Sequence, residues 1–320
     1  PPPGRSAAAG MLAFASASAP RAPSITAPPP LATWSPRSPS AAVPSRSHSA
    51  ALTRYVASVA VSGGRGGARR RVLARAVLAP APSSTSSLSL SADEARRAIE
   101  PAYDASDAQR LRSGDFTEPL SDADVRASLA LSPSQTRFAL TYGELTYEGA
   151  TALGEILRLG RSDVFYDLGS GLGRAVLQAH AQWGVGVAVG VELSPERHRK
   201  AQRAKTRFAR AHRDDALVDF DRPVAFLNEN ILECDLSDAT CAYLCCACMD
   251  AAFVESVVEA LRAKARGLRK MVVVERLETK FGTDVDAVGL RLAGEHRVGQ
   301  TWAPEGYPLY VYETTEAWVR

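Results

Sequence analysis

The sequence predicts an α/β fold built on a mainly parallel, seven-stranded sheet. Three observations carry this. Short apolar β-like runs alternate with helical runs from about residue 146 onward. A glycine-rich turn, "DLGSGLGR" (167–174), joins the first of those runs to a helix. The last two β-like runs lie close enough in sequence to pair as an antiparallel hairpin.

The elements follow in chain order. "SADEARRAIEPAYDASDAQRLRSG" opens at Ser91 as a helical lead-in and breaks near Pro101. "LSDADVRASLAL" (120–131) predicts a second short helix, with Ser121 or Asp122 as its N-cap. "TYEGATALGEILRLG" (146–160) predicts a third. Its apolar stripe runs through Ala150, Leu153, Ile156 and Leu157, and Gly160 is placed to end it. The alternation then begins. "VFYDLG" is a strand, "GRAVLQAHAQW" a helix and "GVAVGVEL" a strand. A long helix follows in "SPERHRKAQRAKTRFARAHR", with Ser194 as N-cap and Pro195 in the first turn. "PVAFLNENI" and "CAYLCC" are strands, "AAFVESVVEALRAKA" a helix and "KMVVVERL" a strand. "EHRVGQTWA" and "YPLYVYET" complete the hairpin, with "PEG" (304–306) as its turn.

Charge divides the chain in two. Residues 1–92 hold ten arginines, no lysine and no acid, leaving 28 of the 38 bases against all 35 acids beyond them. This Ala-, Ser-, Pro- and Arg-rich front lacks the aliphatic content that offsets the entropy of ordering a chain. It fits a disordered organelle transit peptide, with Met11 as the start; a disordered upstream tail is the plainer alternative. The basic cluster "ARRRVLAR" (68–75) is by itself a weak nuclear signal. The domain plan is therefore a disordered 1–92, a helical lead-in over 93–140 and the α/β domain over 141–320. No run of 18 or more apolar residues exists, so no membrane span is expected.

The glycine turn carries the chemistry. Gly169, Gly171 and Gly173 follow a G-x-G-x-G spacing, with Asp167 two residues before the first. Dinucleotide sites place the third glycine one residue later. The spacing found here suits S-adenosylmethionine, whose ammonium and sulfonium are cationic. Asp167 can meet the ammonium; a strand-end aspartate that caps the loop is the plainer alternative. Glu192 closes the next strand 25 residues on, where a carboxylate can accept both ribose hydroxyls.

A parallel sheet with this loop and a terminal antiparallel hairpin is the outline of a class I, Rossmann-like methyltransferase. "TYGELTYEG" (141–149), "FYDLGSGLGRAVLQ" (165–178) and "GVEL" (190–193) together resemble the disruptor-of-telomeric-silencing family of non-SET histone lysine methyltransferases. The resemblance runs from about Thr141 to Glu313. It implies methyl transfer from S-adenosylmethionine to a lysine of a protein such as histone H3 in nucleosomes. Tyr142, Glu144 and their neighbours would close over the cofactor. Asp167, Gly169, Ser170, Gly171, Gly173 and Glu192 would hold it. Asn230 and Ile231 fall where the family contacts the adenine, although Asn230 also reads as a turn residue. Trp302 and Tyr310 would wall the lysine channel, although hairpin aromatics are also common packing. Transfer of this kind needs alignment and exclusion of water more than an acid–base relay. The five histidines form no cluster.

Two features pull against a histone substrate. The folded part is net acidic, while nucleosomes attract basic surface. Its one basic element is the helix over 195–213, with eight Lys or Arg, a solvated face that offers at most a weak nucleic-acid contact. A transit-like front would send the chain to a plastid or mitochondrion, whereas the resemblance points to the nucleus. An organellar protein substrate, or a weakened cofactor-binding protein, stays open. The second possibility is sharpened by "CAYLCCACMD" (241–250), which carries four of the five cysteines. Spacing is wrong for a zinc site, and small buried hydrophobes account for most of them. The family places an asparagine at the reaction centre where Cys245 stands, and cysteine replaces its hydrogen bonds poorly.

Overall fold

The computed structural model describes residues 90–108, 142–215, 218–219 and 221–319. The front segment and the helix expected over 120–131 lie outside them. Within them, one sheet of seven strands runs in the order β3-β2-β1-β4-β5-β7-β6. The strands are β1 (Val164–Leu168), β2 (Val187–Val191), β3 (Val224–Leu227), β4 (Cys241–Leu244), β5 (Lys270–Val273), β6 (Leu290–Gln300) and β7 (Ala303–Thr314). β1 to β5 are mutually parallel, and β7 runs antiparallel to both β5 and β6. Every residue of β1, β2 and β4 is buried. Strands covered on both faces read as continuous apolar runs, which is how these appear in the sequence.

The helices are α1 (Ala92–Ile99), α2 (Tyr147–Leu157), α3 (Arg174–Gln178), α4 (Pro195–Ala211), α5 (Ala251–Lys264) and α6 (Val285–Val288). Ser91 opens α1 with a reciprocal capping box to Glu94, and a 3₁₀ turn at Glu100–Ala102 ends it beside Pro101. Thr146 caps α2 through the Gly149 amide. α2 stops earlier than Gly160 would allow, because Arg158 takes the left-handed conformation at φ 48°. α3 continues as a π-helical turn over Ala179–Trp183. Ser194 and Pro195 open α4 as expected. Its buried stripe is rotated from the expected one: Ala201, Ala204, Lys205, Phe208 and Ala209 face inward and Ala211 is exposed.

The strand ends depart from expectation in three places. β3 stops at Leu227, so "NENI" is loop, and β4 stops at Leu244, short of both cysteines. Cys246 and Cys248 therefore do not share a strand face. Cys246 is buried and Cys248 exposed, in a turn closed by the Met249 amide on the Cys246 carbonyl at 3.0 Å. The hairpin turns at Thr301–Trp302, with Gln300 opposite Ala303, and "PEG" lies within β7. Pro304 and Gly306 sit where the register shifts, a place where a missing amide and a φ of 123° are tolerated.

Candidate active site

The site forms at the carboxyl ends of β1, β2, β4 and β5, where open α/β sheets bind ligands. The turn after β1 is anchored on β2: the Gly169 and Ser170 amides donate to the Val191 carbonyl at 2.8 and 3.0 Å. Gly171 has φ 55°, and a Cβ there would lie 2.5 Å from the Tyr142 ring. Both conformation and space therefore require glycine. A Cβ on Gly169 would meet nothing within 4 Å, so this part of the loop faces open space. The Ser170 hydroxyl beside it is buried without a hydrogen-bond partner.

Three carboxylates surround the loop. Asp167 is 5% exposed, and burial, with Glu144 and Glu192 nearby, pushes its carboxyl up to about 8. Burial likewise raises Glu144 to about 7, against the pull of Arg174, whose Nε lies 3.0 Å from it. Glu192 accepts the Gly171 amide on one oxygen and the Ser194 amide on the other, each at 2.8 Å. Its remaining lone pairs leave room for further donors. A buried carboxyl held neutral by its surroundings fits a ligand that brings positive charge, because such a charge restores the ionised form. The donor set thus fits a cationic amino acid end at Asp167 and a hydroxyl-bearing group at Glu192.

The segment over 142–146 lies across this loop. Tyr142 packs its ring on Gly171 and beneath the Arg197 guanidinium, 5.0 Å from the ring centre. Arg174 is 3% exposed, pairs with Glu144, donates to the Leu145 carbonyl and lies 4.8 Å from the Tyr147 ring centre. Tyr103 donates to the Leu172 carbonyl at 3.1 Å, tying the lead-in to the glycine turn. The structure brings Tyr142, Glu144, Asp167, Gly171 and Glu192 together. Asn230 and Ile231 lie on the loop after β3. The Asn230 Oδ1 accepts the Leu232 amide at 3.0 Å, an Asx turn. Asn228 binds the Glu192 and Leu193 carbonyls at 2.9 Å each, and so joins the loops after β2 and β3. Sequence reasoning passed over Asn228, Arg174 and Arg197.

The other half of the site is aromatic. Cys245 follows β4, partly buried. Burial, with Cys246 beside it, pushes its thiol well above the usual range, so it stays neutral. The buried Gln300 amide lies 3.4 Å from the Tyr243 hydroxyl. Trp302 makes an edge contact with Tyr307, with ring centres 5.5 Å apart. Residues 307–311 pair one-to-one with β6, so Tyr307 and Tyr310 point to opposite faces of the strand. Trp302 is thus brought to Tyr307, on the face of β7 opposite to Tyr310. The Tyr307 hydroxyl donates to Glu275 Oε1 at 2.6 Å. Neither Tyr307 nor Glu275 stood out in the sequence, because the pair spans 32 residues with no local motif.

The basic residues of α4 are largely taken up within the fold. Lys200 and Arg207 pair with Asp107 and Asp104 at 2.8 and 2.7 Å, Lys205 is buried, and Arg203 and Arg210 are exposed. Among the described residues no helix is long and apolar enough to cross a membrane.

Among known families, the one described as histone methylation protein DOT1 matches residues 129–275, a little under half the chain. No curated protein matches the sequence. Similar solved structures include an RNA methyltransferase from Salinibacter ruber in complex with S-adenosyl-L-homocysteine. It is 19% identical with TM-score 0.39, over 52% of this chain and 90% of that one. The B. subtilis M1A22 tRNA methyltransferase TrmK is 14% identical with TM-score 0.41, over 53% of this chain and 67% of that one. The magnesium protoporphyrin IX methyltransferase ChlM from Synechocystis PCC 6803, with bound SAM, is 12% identical with TM-score 0.40, over 72% of this chain and 100% of that one. Residues 129–275 thus resemble the DOT1 histone methylation family, and the chain is an S-adenosylmethionine-dependent methyltransferase.

Proposed function

We propose that the chain methylates a lysine side chain of a protein, with histone H3 as the first substrate to test. The observation that carries this reading is the meeting of two unlike surfaces at one sheet edge. Asp167, the glycine turn and Glu192 form a polar half. Cys245, Trp302 and Tyr307 form an aromatic, partly buried half. Bound at the polar half, S-adenosylmethionine would supply an electrophilic methyl group. Asp167 would hold the ammonium, Glu192 the ribose hydroxyls, and Tyr142 would cover the glycine turn. Partly desolvated aromatic walls favour the neutral form of an amine, which is the nucleophile this chemistry needs. Trp302 and Tyr307 would align the side chain and keep water away. Tyr310, also expected at this wall, projects from the other face of β7.

A second reading has a weakened enzyme, and Cys245 favours it. A neutral thiol donates one weak hydrogen bond, where an asparagine offers two donors and an acceptor. The Arg-rich, acid-free front keeps an organellar protein as the alternative acceptor. One experiment separates these readings. Radiolabelled methyl transfer is measured on nucleosomes, free histones and an organelle extract, with Asp167→Ala as control. Label on H3 lysines supports the histone substrate, and label confined to the extract moves the substrate to an organelle. Cofactor binding with no label anywhere supports the weakened form.

A further inference from the structure

We infer that Glu275, held by Tyr307, which in turn packs against Trp302, is a recognition site for the positively charged amine of the acceptor. The inference rests on the methyl-transfer reading above and adds the residue that selects the acceptor by charge. Glu275 follows β5 at its carboxyl end, two strands from β1 in the sheet order. Two strand spacings put it about 10 Å from the Asp167 column, beside that half of the site and outside it.

The side chain is itself oriented. Tyr307 donates to Oε1 at 2.6 Å, and this carboxylate, with burial, pushes the Tyr307 phenol well above its usual range. Tyr307 therefore stays a hydrogen-bond donor and fixes the carboxylate. Trp302 braces Tyr307 through the edge contact at 5.5 Å. Among the described residues no Lys, Arg or His pairs with Glu275; the neighbouring Arg276 turns to Glu278 and Glu295 at 3.7 and 2.7 Å. Glu275, Trp302 and Tyr307 are all partly buried, so water reaches them only in part. A carboxylate fixed in this way favours an arriving ammonium over a neutral group of equal size, and the amine gives up that proton within the aromatic walls before it attacks the methyl group. A neutral acceptor, such as a hydroxyl or a ring nitrogen of a base, gains nothing from it. The site thus selects cationic amines such as a lysine side chain.

The test uses the full chain saturated with S-adenosylhomocysteine, which covers Asp167 and Glu192. n-Butylammonium and n-butanol are titrated as probes of equal length. The wild-type chain should bind butylammonium about tenfold more tightly. Glu275→Gln, near-isosteric and still able to accept from Tyr307, should bring the two probes to nearly equal affinity, with S-adenosylhomocysteine affinity unchanged. Tyr307→Phe, which frees the carboxylate without removing its charge, should keep part of the preference. A preference that Glu275→Gln leaves intact, or none in the wild type, would overturn the inference alone. Failure of the wild type to bind S-adenosylhomocysteine would overturn the methyl-transfer reading with it.

Discussion

On the proposed reading, one buried carboxyl, Asp167, sets both cofactor affinity and its pH dependence. Its surroundings hold it up to about 8, so at neutral pH the cofactor-free site is largely protonated there. A cationic ligand needs the ionised form, and binding must release that proton. S-adenosylmethionine affinity should therefore rise as pH increases from about 6 to about 8 and level off above it, by up to about tenfold per pH unit. Calorimetry in buffers of different ionisation enthalpy reads the released proton directly. Asp167→Ala should lose about 2–4 kcal/mol of binding, roughly 30- to 700-fold in Kd, and flatten the pH dependence. An unaltered slope in that variant would remove Asp167 from the site. Cys245 makes the opposite kind of prediction, a gain. Cys245→Asn supplies two donors and an acceptor at the position proposed to face the reacting groups and should raise the transfer rate without changing Kd for the cofactor. Equal single-turnover rates for the two chains would show that the thiol costs nothing.

At the scale of elements, the site depends on how closely α2 approaches the terminal hairpin. The Thr146 amide donates to the Gly299 carbonyl at 2.9 Å, and Leu145 bridges to Gln300. Gly149, one turn into α2, lies so near β6 that a Cβ would come within 2.0 Å of the Gly299 carbonyl oxygen. That obstacle is backbone on both sides, so relief requires the helix to move. Gly149→Ala should therefore destabilise by about 1–3 kcal/mol, although alanine is the better helix former. Because α2 carries the segment with Tyr142 and Glu144, the same change should weaken cofactor binding. A thermal melt and a titration on one sample check both; an alanine variant of raised stability would contradict the packing. This contact also marks what the sequence could reveal. The glycine turn, Asp167 and Glu192 were legible because their spacing is local and their residue types are constrained by backbone conformation. β1, β2, β4 and α4 were legible from their apolar runs and caps. Gly149 on Gly299, Arg174 on Glu144, and Tyr307 on Glu275 were not, since each pairing is made by the fold across 30 to 150 residues. The hairpin turn was misplaced for a related reason. "PEG" has turn chemistry, but the register with β6 uses it as an irregularity inside β7.

For the whole molecule, the site is a concentration of unfavourable charge that the rest of the fold must carry. Asp167 and Glu144 are both raised above their unfolded values, so the folded chain binds protons there that the unfolded chain releases. Stability from such groups is fully present below about pH 4 and is lost as pH rises through about 7 and about 8. Other buried groups oppose this. Burial lowers His180 to about 3 and His198 to about 4, and these favour the folded chain increasingly as pH rises from there to about 6.5. Lys205, lowered to about 7 by burial, acts in the same sense at higher pH. The total profile is therefore shallow, and the informative quantity is a difference between two chains. Asp167→Asn keeps the size of the side chain and removes its titration. In the cofactor-free chain this variant should be more stable than wild type, with a gap that widens by up to about 1.4 kcal/mol per pH unit between pH 5 and pH 7. Saturating S-adenosylhomocysteine should reverse the order, because the ligand stabilises only the chain that binds it. Denaturant unfolding of both chains at the two pH values, with and without ligand, reads all four terms. A constant gap across pH would mean that Asp167 is already ionised in the fold, and a gap that ligand leaves unchanged would mean that the residue does not touch the cofactor. The expected pattern makes the binding site a place where stability is surrendered for function, with the cation of the ligand as the counter-charge that the folded chain lacks among its own described residues around Asp167.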